Sequence, residues 1–511
     1  MAGSPSGLVT GNRQLATGYN RRAMKKCLLL TIVVLTSVAF AAQKQSDTQR
    51  LIDEALKPSP LQENLRILTD EIGGRVPGTP AMEKAVKWGF DAFRAAGADT
   101  VKLESYSIAH SWQEGATRVA VTSPTQFNVR AVSVGWAPAT NGPIKARVVS
   151  VGNGDAAGFS KAGDISGALL LVHTETMKTW DDLFAEYMRA PAIIAAAMKG
   201  KAAGIAFIST RERDLLYRHI NTNHGEIDQL PIVIVAREDG ERVARLVAKG
   251  SPVEAEFDLP NKIGVPFEVA NVVAEIKGSE KPDEYVLLGA HLDSWDLGTG
   301  ALDNGCNAAL VIDALRAVKA SGLRPRRSIR FALFTGEEQG TLGSRAYVTA
   351  HRNEMDKVAA VLIFDEGTGK ATGFSLGGRK DLVAPMTKLV AAFRPWNATT
   401  LTTDSFVGTD NLDFLLEGVP NLVANQVEAN YLENYHASSD TYDKVDFDQL
   451  KKHVAIASAL IYEFADAPQV LGPRQDRAQV ESLVKETHLD DQLKAFGMWQ
   501  EWEQGTRGRA H

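Results

Sequence analysis

Short apolar runs alternate with amphipathic stretches through the second half of the chain. Each run has the length of a buried strand, and each amphipathic stretch has the apolar spacing of a helix. Continuous apolar strands that alternate with helices are typical of a mostly parallel sheet covered on both faces, so we predict an α/β fold. The predicted strands span residues 285–290, 328–335, 358–364 and 421–425, and the predicted helices span 306–320, 385–393 and 447–465.

In residues 125–258 the pattern changes to short strands separated by glycine-rich turns. This change predicts a separate module, inserted in the α/β domain. Upstream, the helices predicted at 61–72 and 81–96 and the strand predicted at 118–122 are assigned to the α/β domain. Within the module we predict strands at 146–151, 168–173, 204–209 and 230–235, and helices at 191–199 and 239–249.

The two ends of the chain do not fit either domain. Basic residues at 21–26 precede an apolar run that ends in Ala39-Phe40-Ala41, which predicts a secretory signal peptide over 1–41. Met24 opens a complete signal by itself, and Arg21-Arg22 leaves twin-arginine export open beside the general route. The polar tail over 467–511 predicts one peripheral helix with frayed ends. The α/β domain then comprises 45–124 and 259–466, interrupted by the module at 125–258.

Composition limits both the binding partners and the kind of metal site that we expect. The 56 Lys and Arg against 62 Asp and Glu give a net charge of −6, which argues against a nucleic-acid binder. The two cysteines, Cys27 and Cys306, exclude a disulfide scaffold and a thiolate zinc ribbon. Any bound metal must therefore be held by histidine and carboxylate side chains.

Metal-binding residue types follow three of the predicted strands, at the point where each strand ends. In open α/β sheets the carboxyl edge of the strands is where ligands bind. Because three strand ends share this feature, we predict a metal site at that edge. The set consists of His291, Asp293, Glu337, Glu338 and Asp365 after the strands, with Asp303 and His436 in loops before helices.

A pair of zinc ions fits this set. Each ion needs about four nitrogen or oxygen ligands with one position open to water. One carboxylate can bridge two metals about 3.5–4 Å apart. The assignment that meets both needs places His291 and Asp365 on one ion, Glu338 and His436 on the other, and Asp303 between them. We therefore predict two Zn²⁺ per subunit.

Three further carboxylates are given supporting roles. Glu337 faces away from its neighbouring ligand if the backbone is extended, so it is the predicted general base. Asp293 is expected to accept a hydrogen bond from the far imidazole nitrogen of His291. Asp440 is expected to do the same for His436.

These motifs resemble the di-zinc exopeptidase family of secreted aminopeptidases. The resemblance rests on residues 291–296, 300–303, 337–340 and 408–410, and it covers about 50–465. It implies a phosphorylase/hydrolase-like α/β/α catalytic domain with a mixed, mostly parallel sheet. It also implies the five ligands named above with Glu337 as catalytic base. The module at 125–258 resembles the protease-associated domain that such enzymes carry as an insertion.

Three residues are candidates for contact with a substrate. Asp410 is a candidate for the amino terminus, and Tyr435, beside His436, is a candidate for the oxyanion. His224 lies in the polar loop 221–225 of the module and is expected to reach over the cleft.

Other functions fit parts of the sequence less well. Gly373-Phe374-Ser375-Leu376-Gly377 fits the nucleophile elbow of a serine hydrolase, but the turn-like residues 367–373 before it disfavour the required strand. Residues 152–157 nearly fit a dinucleotide fingerprint and are interpreted as a loop, because Gly158 opposes the helix that should follow. A related amidohydrolase or aminoacylase, and a non-catalytic scaffold, are the remaining alternatives.

The pattern and the resemblance together predict a secreted or periplasmic zinc exopeptidase that acts on dipeptides or short peptides. We expect a peptide partner, no nucleic acid, and no membrane attachment after removal of the signal. The sequence leaves open which terminus is recognised, the side-chain preference, the native metal and whether the protein is a homodimer.

Overall fold

The computed structural model describes residues 45–222 and 224–510. The predicted signal peptide lies outside the described residues. Within the described ranges, no helix combines the length and the apolar content that a membrane span needs.

Eighteen strands and fifteen α-helices make up the described part of the chain. The strands are β1 Thr100–Ile108, β2 Trp112–Gln113, β3 Arg118–Ser123, β4 Phe127–Val129, β5 Ala131–Ser133, β6 Ile144–Ser150, β7 Leu169–Val172, β8 Gly204–Ile208, β9 Ile232–Val235, β10 Glu254–Asp258, β11 Lys262–Ile263, β12 Phe267–Ile276, β13 Lys281–His291, β14 Arg327–Phe334, β15 Val358–Ile363, β16 Ala371–Ser375, β17 Thr400–Thr402 and β18 Asn421–Gln426. The helices are α1 Asp47–Ala55, α2 Leu61–Arg66, α3 Pro80–Ala95, α4 Ala156–Ala162, α5 Trp180–Lys199, α6 Arg237–Ala248, α7 Cys306–Ser321, α8 Leu342–Ala350, α9 Val383–Leu389, α10 Leu412–Leu416, α11 Tyr431–Asn434, α12 Phe447–Asp466, α13 Arg477–Glu486, α14 Leu489–Ala495 and α15 Trp499–Glu503.

The first sheet is mixed, with a parallel centre. Its eight strands lie in the order β1-β12-β14-β13-β15-β18-β16-β17. Strands β14, β13, β15 and β18 run parallel to one another, whereas β12 is antiparallel to β1 and β14, and β16 is antiparallel to β18. The predicted mixed, mostly parallel sheet is therefore confirmed.

Helices cover both faces of this sheet. Alternate residues of a strand point to opposite faces, and β13 shows the result. Val286 and Leu288 belong to the core formed with α1, α7 and α12, whereas Tyr285 and Leu287 belong to the core formed with α8 and α10. Since both faces are buried, the strand has no polar face, which is why it reads as a continuous apolar run.

The second sheet lies between β1 and β12 in the chain. Its eight strands lie in the order β4-β3-β10-β6-β7-β8-β9-β5. Strand β3 pairs with β4 and β10, so this sheet begins at Arg118, before the boundary expected at 125. The alternation of β3 identifies a strand but carries no information about which sheet it joins.

Two helices of the module differ from the prediction. Helix α5 starts at Trp180, well before the start predicted at Pro191, because Thr179 and Asp182 form a capping box there. Pro191 therefore lies inside the helix. The loop predicted over 152–157 is followed by a helix in spite of Gly158: residues 156–162 form α4, whose first turn is capped by the Asp155 carboxylate.

The tail also differs from the prediction of one helix with frayed ends. Helices α13, α14 and α15 form a small apolar core with residues 407–416, and Trp502 is buried in it. Beside this core, the buried Arg507 guanidinium donates two 2.8 Å hydrogen bonds to the Asp413 carboxylate. The tail is therefore an integral part of the described fold.

We expect R507M to lower the free energy of unfolding by about 3–5 kcal/mol, because it leaves the Asp413 carboxylate buried without its cation. Chemical denaturation gives the measurement. The matched control is K485Q, which removes an exposed pair with Glu481 and should change stability by less than about 0.5 kcal/mol. Equal effects of the two variants would show that the tail is not held by this pair.

Candidate metal centre

Two groups of possible metal ligands share one carboxylate. His291, Asp303 and Asp365 form the first group, and Asp303, Glu338 and His436 form the second, each with its ligand atoms within 4.8 Å of one another. The Nε2 atom of His291 lies 3.2 Å from Asp303 Oδ1 and 2.9 Å from Asp365 Oδ1. The Nε2 atom of His436 lies 3.3 Å from Asp303 Oδ2 and 2.8 Å from Glu338 Oε2. This is the grouping expected from the sequence.

The fold explains why residues far apart in the chain meet here. His291 ends β13, Glu338 follows β14 and Asp365 follows β15, and these three strands are parallel neighbours. Their carboxyl ends therefore meet at one edge of the sheet. Asp303 enters from the kinked turn Ala301–Gly305, and His436 enters from the loop after α11.

The unpaired atoms of this cluster fit a bound cation. Asp303 Oδ2, Glu338 Oε1 and Asp365 Oδ1 are buried without a hydrogen-bond donor among the described residues. Buried carboxylate oxygens normally have such donors. Burial and the nearby Asp303 raise the pKa of Glu338 well above its ordinary value, which reflects the crowding of negative charge. Divalent cations offset that charge, and the donor set of imidazole and carboxylate suits zinc.

The Asp293 carboxylate does not make the predicted contact with His291. The Nδ1 atom of His291 is 3.0 Å from the backbone oxygen of Asp293 and 3.6 Å from Oδ1. The carboxylate accepts the backbone N–H groups of Glu337 and Glu338, each at 3.2 Å. Asp293 therefore anchors the turn that carries both the proposed base and one candidate ligand.

The Asp440 carboxylate likewise binds backbone and not the predicted imidazole. It accepts N–H groups from Ala301 at 3.1 Å, Leu302 at 2.7 Å and Asp303 at 3.1 Å. Burial raises the pKa of Asp440 to about 7. The carboxylate thus holds the turn that presents Asp303, and the acceptor for the His436 Nδ1 atom is the backbone oxygen of Arg218.

A cavity of about 740 Å³ opens over the cluster. Its walls come from α5 of the module, the loop 402–409, the region around α11, and residues 495–498 of the tail. None of the described lining residues is Lys or Arg. Beyond the candidate ligands the lining includes the carboxylates of Asp181, Glu337, Glu366 and Asp404. Burial raises the pKa of Glu366 to about 8.

Of the three candidate substrate contacts, the structure places one at the cavity. Tyr435 lines it, stacks on His436 with ring centroids 3.7 Å apart, and has its hydroxyl 3.1 Å from that of Tyr187. Asp410 is fully buried and does not line the cavity, and its burial raises its pKa to about 8. His224 contacts Arg345 and is not among the described residues that line the cavity.

The serine alternative finds no support in the local geometry. Residues 371–375 do form a strand, contrary to expectation, but Ser375 is buried and its hydroxyl donates to the backbone oxygen of Asp404 at 3.0 Å. A nucleophile elbow instead exposes its serine on a sharp turn.

Several residues at the site were not predicted from the sequence. Tyr187 and Phe496 line the cavity, and the His219 ring lies 5.5 Å from that of His436. Tyr187 and His219 belong to the module and Phe496 to the tail. No local pattern predicts these contacts, because each depends on how distant segments pack.

A mixed α/β sheet with a histidine and carboxylate cluster at its parallel strand ends defines a metal-dependent hydrolase. Residues 271–461 match peptidase family M28. The chain is 28% identical over 410 residues to carboxypeptidase Q of Mus musculus and 29% identical over 417 residues to that of Rattus norvegicus, in both cases covering 80% of this chain and 86% of the relative. The chain therefore carries an M28 peptidase domain and is homologous to carboxypeptidase Q, which confirms the family resemblance.

Solved structures agree with this relationship. A peptidase M28 precursor from Shewanella amazonensis superimposes with a TM-score of 0.76 at 25% identity, covering 84% of this chain and 98% of that one. A zinc aminopeptidase from Bacillus subtilis shares the fold with a TM-score of 0.63 at 19% identity, covering 79% of this chain and 94% of that one.

We expect D440N to weaken zinc binding by about 10–100-fold, because an amide cannot accept all three N–H groups that hold the Asp303 turn. Competition with a chromogenic chelator gives the affinity. D443N changes an exposed aspartate three residues later and should leave the affinity unchanged. Unchanged affinity in D440N would show that this carboxylate does not position the site.

Proposed function

We propose that this protein is a zinc-dependent exopeptidase that hydrolyses dipeptides or short peptides and holds two Zn²⁺ per subunit. The observation that carries the proposal is the pair of ligand groups that share Asp303, since a shared carboxylate suits two adjacent ions. The proposed ligands are His291, Asp303, Glu338, Asp365 and His436. The signal-peptide pattern of the sequence supports secretion or export to the periplasm.

Two bound zinc ions would supply an acidified water and polarise the peptide carbonyl. The protein's own contribution to proton transfer is assigned to Glu337. Its side chain lines the cavity next to the ligand cluster, and Asp293 fixes its backbone. Burial raises the pKa of Glu337 well above its ordinary value. From this position beside the ligand cluster, the Glu337 carboxylate can take a proton from the attacking water and deliver it to the leaving amine.

The charge of the cavity favours a substrate with a free amino terminus. The described lining has several carboxylates besides the candidate ligands and no Lys or Arg to pair with a substrate carboxylate. Outside the ligand set and the base, the acidic residues of the described lining are Asp181, Glu366 and Asp404. We therefore infer aminopeptidase or dipeptidase action in preference to recognition of a free carboxyl terminus.

The composition of the lining and the position of Ser375 also bear on the alternative functions. An aminoacylase must bind the free carboxylate of an N-acylated amino acid, for which the described lining offers no Lys or Arg side chain. The serine mechanism is disfavoured by the buried, hydrogen-bonded Ser375. For the module, a role as a protease-associated domain that shapes access is supported by its helix α5, which forms one wall of the cavity.

We expect E337Q to lower kcat by about 10²–10⁴-fold with zinc content unchanged, because the amide keeps the shape of the residue but cannot take the proton. Peptide hydrolysis and metal analysis on the same preparation provide the test. E338Q is the matched comparison and should lose zinc, since Glu338 belongs to a ligand group. If E337Q lost zinc and E338Q did not, the roles of the two residues would be reversed.

A panel of one dipeptide with free, N-acetylated and C-amidated termini tests the amine preference. We expect N-acetylation to abolish turnover and C-amidation to preserve it, because the acidic lining has no partner for a carboxylate. The opposite pattern would reject amine recognition and leave metal-dependent hydrolysis standing. Loss of all activity with a zinc chelator, restored by Zn²⁺, is the control.

A further inference from the structure

The backbone of His436 has a conformation that needs external support. Its φ is +56°, in the left-handed region that residues other than glycine rarely adopt. Such a residue persists only where the surrounding structure holds it. The support for His436 comes from the inserted module.

The loop that carries His436 pairs with a segment of the module as a short antiparallel bridge. The Arg218 N–H donates to the backbone oxygen of His436 at 3.1 Å. The Ser438 N–H donates to the backbone oxygen of Leu216 at 3.0 Å. The loop is therefore attached to the module at His436 itself and at Ser438, two residues later.

The imidazole of His436 is oriented by the same segment. Its Nδ1–H donates to the backbone oxygen of Arg218 at 2.9 Å, which leaves Nε2 directed at Asp303 and Glu338. A hydrogen bond of this kind fixes both the tautomer and the ring angle of a histidine ligand. The ring is also packed between Tyr435, at 3.7 Å between centroids, and more distant His219 of the module.

Arg218 itself is held by buried ion pairs. Its guanidinium is fully buried, with Nη2 2.6 Å from Glu114 Oε2 and Nε 2.9 Å from Asp296 Oδ1. Its Nη1 also donates to the backbone oxygen of Ser133, and the group lies over the Trp112 ring. These contacts hold in place the residue whose backbone oxygen accepts the hydrogen bond from His436 Nδ1.

The other candidate ligand histidine has no such dependence. The Nδ1–H of His291 donates to the backbone oxygen of Asp293, two residues away in its own domain. The two ligand groups therefore differ in one respect: only the group that contains His436 has its histidine oriented by the module.

We propose that residues 216–219 of the inserted module are a positioning element for one of the two zinc ions, the one bound by Asp303, Glu338 and His436. The proposal rests on the proposed function, since it assumes that both groups hold zinc. The module then takes part in metal binding as well as in shaping the cavity. Loosening Arg218 should weaken one ion selectively and leave the ion at His291 in place.

The test measures zinc stoichiometry and stepwise affinity by chelator competition on the full-length chain. We expect R218Q to bind one zinc with the affinity of the parent and the second about 10–100-fold more weakly. E114Q removes one partner of Arg218 and should give a smaller shift in the same direction. The matched control is R147Q, because Arg147 bonds to Asp164 and Ser166 within the module.

An H436A background identifies the affected ion. There the second zinc is already weakened, so adding R218Q should cause no further loss. Circular dichroism and thermal unfolding identify variants that fail to fold, and E114Q decides the question if R218Q is one of them. Parent affinity for both ions in the folded variants, or equal weakening of both ions, would overturn the proposal. A parent protein that binds no zinc would instead reject the proposed function.

Discussion

Three carboxylates and two imidazoles share one buried corner at the edge of the first sheet, and this crowding of negative charge is the constraint on which the site depends. Like charges this close oppose ionisation unless a cation lies between them. Lone pairs of Asp303, Glu338 and Asp365 are left without donors in the described structure. The corner is thus preorganised for a cation, and the surrounding fold supplies the means of holding it together.

The segments that carry the candidate ligands are held in place mostly by hydrogen bonds that involve backbone groups. Asp293 holds the turn after β14, Asp440 holds the turn of Asp303, and the carbonyl of Arg218 holds the ring of His436. In each case a polar group from one segment fixes a ligand-bearing segment far away in the chain. Such outer contacts orient ligands and tune a metal site. They also make the geometry of the centre depend on the packing of both domains.

The sequence was sufficient to predict the α/β fold and the residues of the cluster, and the reason is topological. Residues at the ends of adjacent parallel strands must meet at one edge of the sheet. Strand patterns that are local in the sequence therefore predict that residues far apart in the chain lie close together. Asp293 and Asp440 were wrongly assigned to imidazoles because spacing along the chain does not show which donor a carboxylate will meet. The buried position of Asp410 and the contact of His224 with Arg345 depend equally on packing. The tail was misjudged because its apolar residues form a core only with residues 407–416.

Different parts of the chain supply the candidate ligands and the walls of the cavity. The candidate ligands and the proposed base all lie within residues 271–461, the part that matches peptidase family M28. Two of the walls lie outside it: Trp180, Phe184 and Tyr187 come from the module, and Phe496 and Met498 come from the tail. The rings of Phe184 and Phe496 meet edge to face with centroids 6.5 Å apart, so the module and the tail are in contact where both line the cavity. Substitutions of Trp180 or Phe496 would change these walls without removing a candidate ligand. The exception is the segment around Arg218, where a change in the module would reach the metal centre itself.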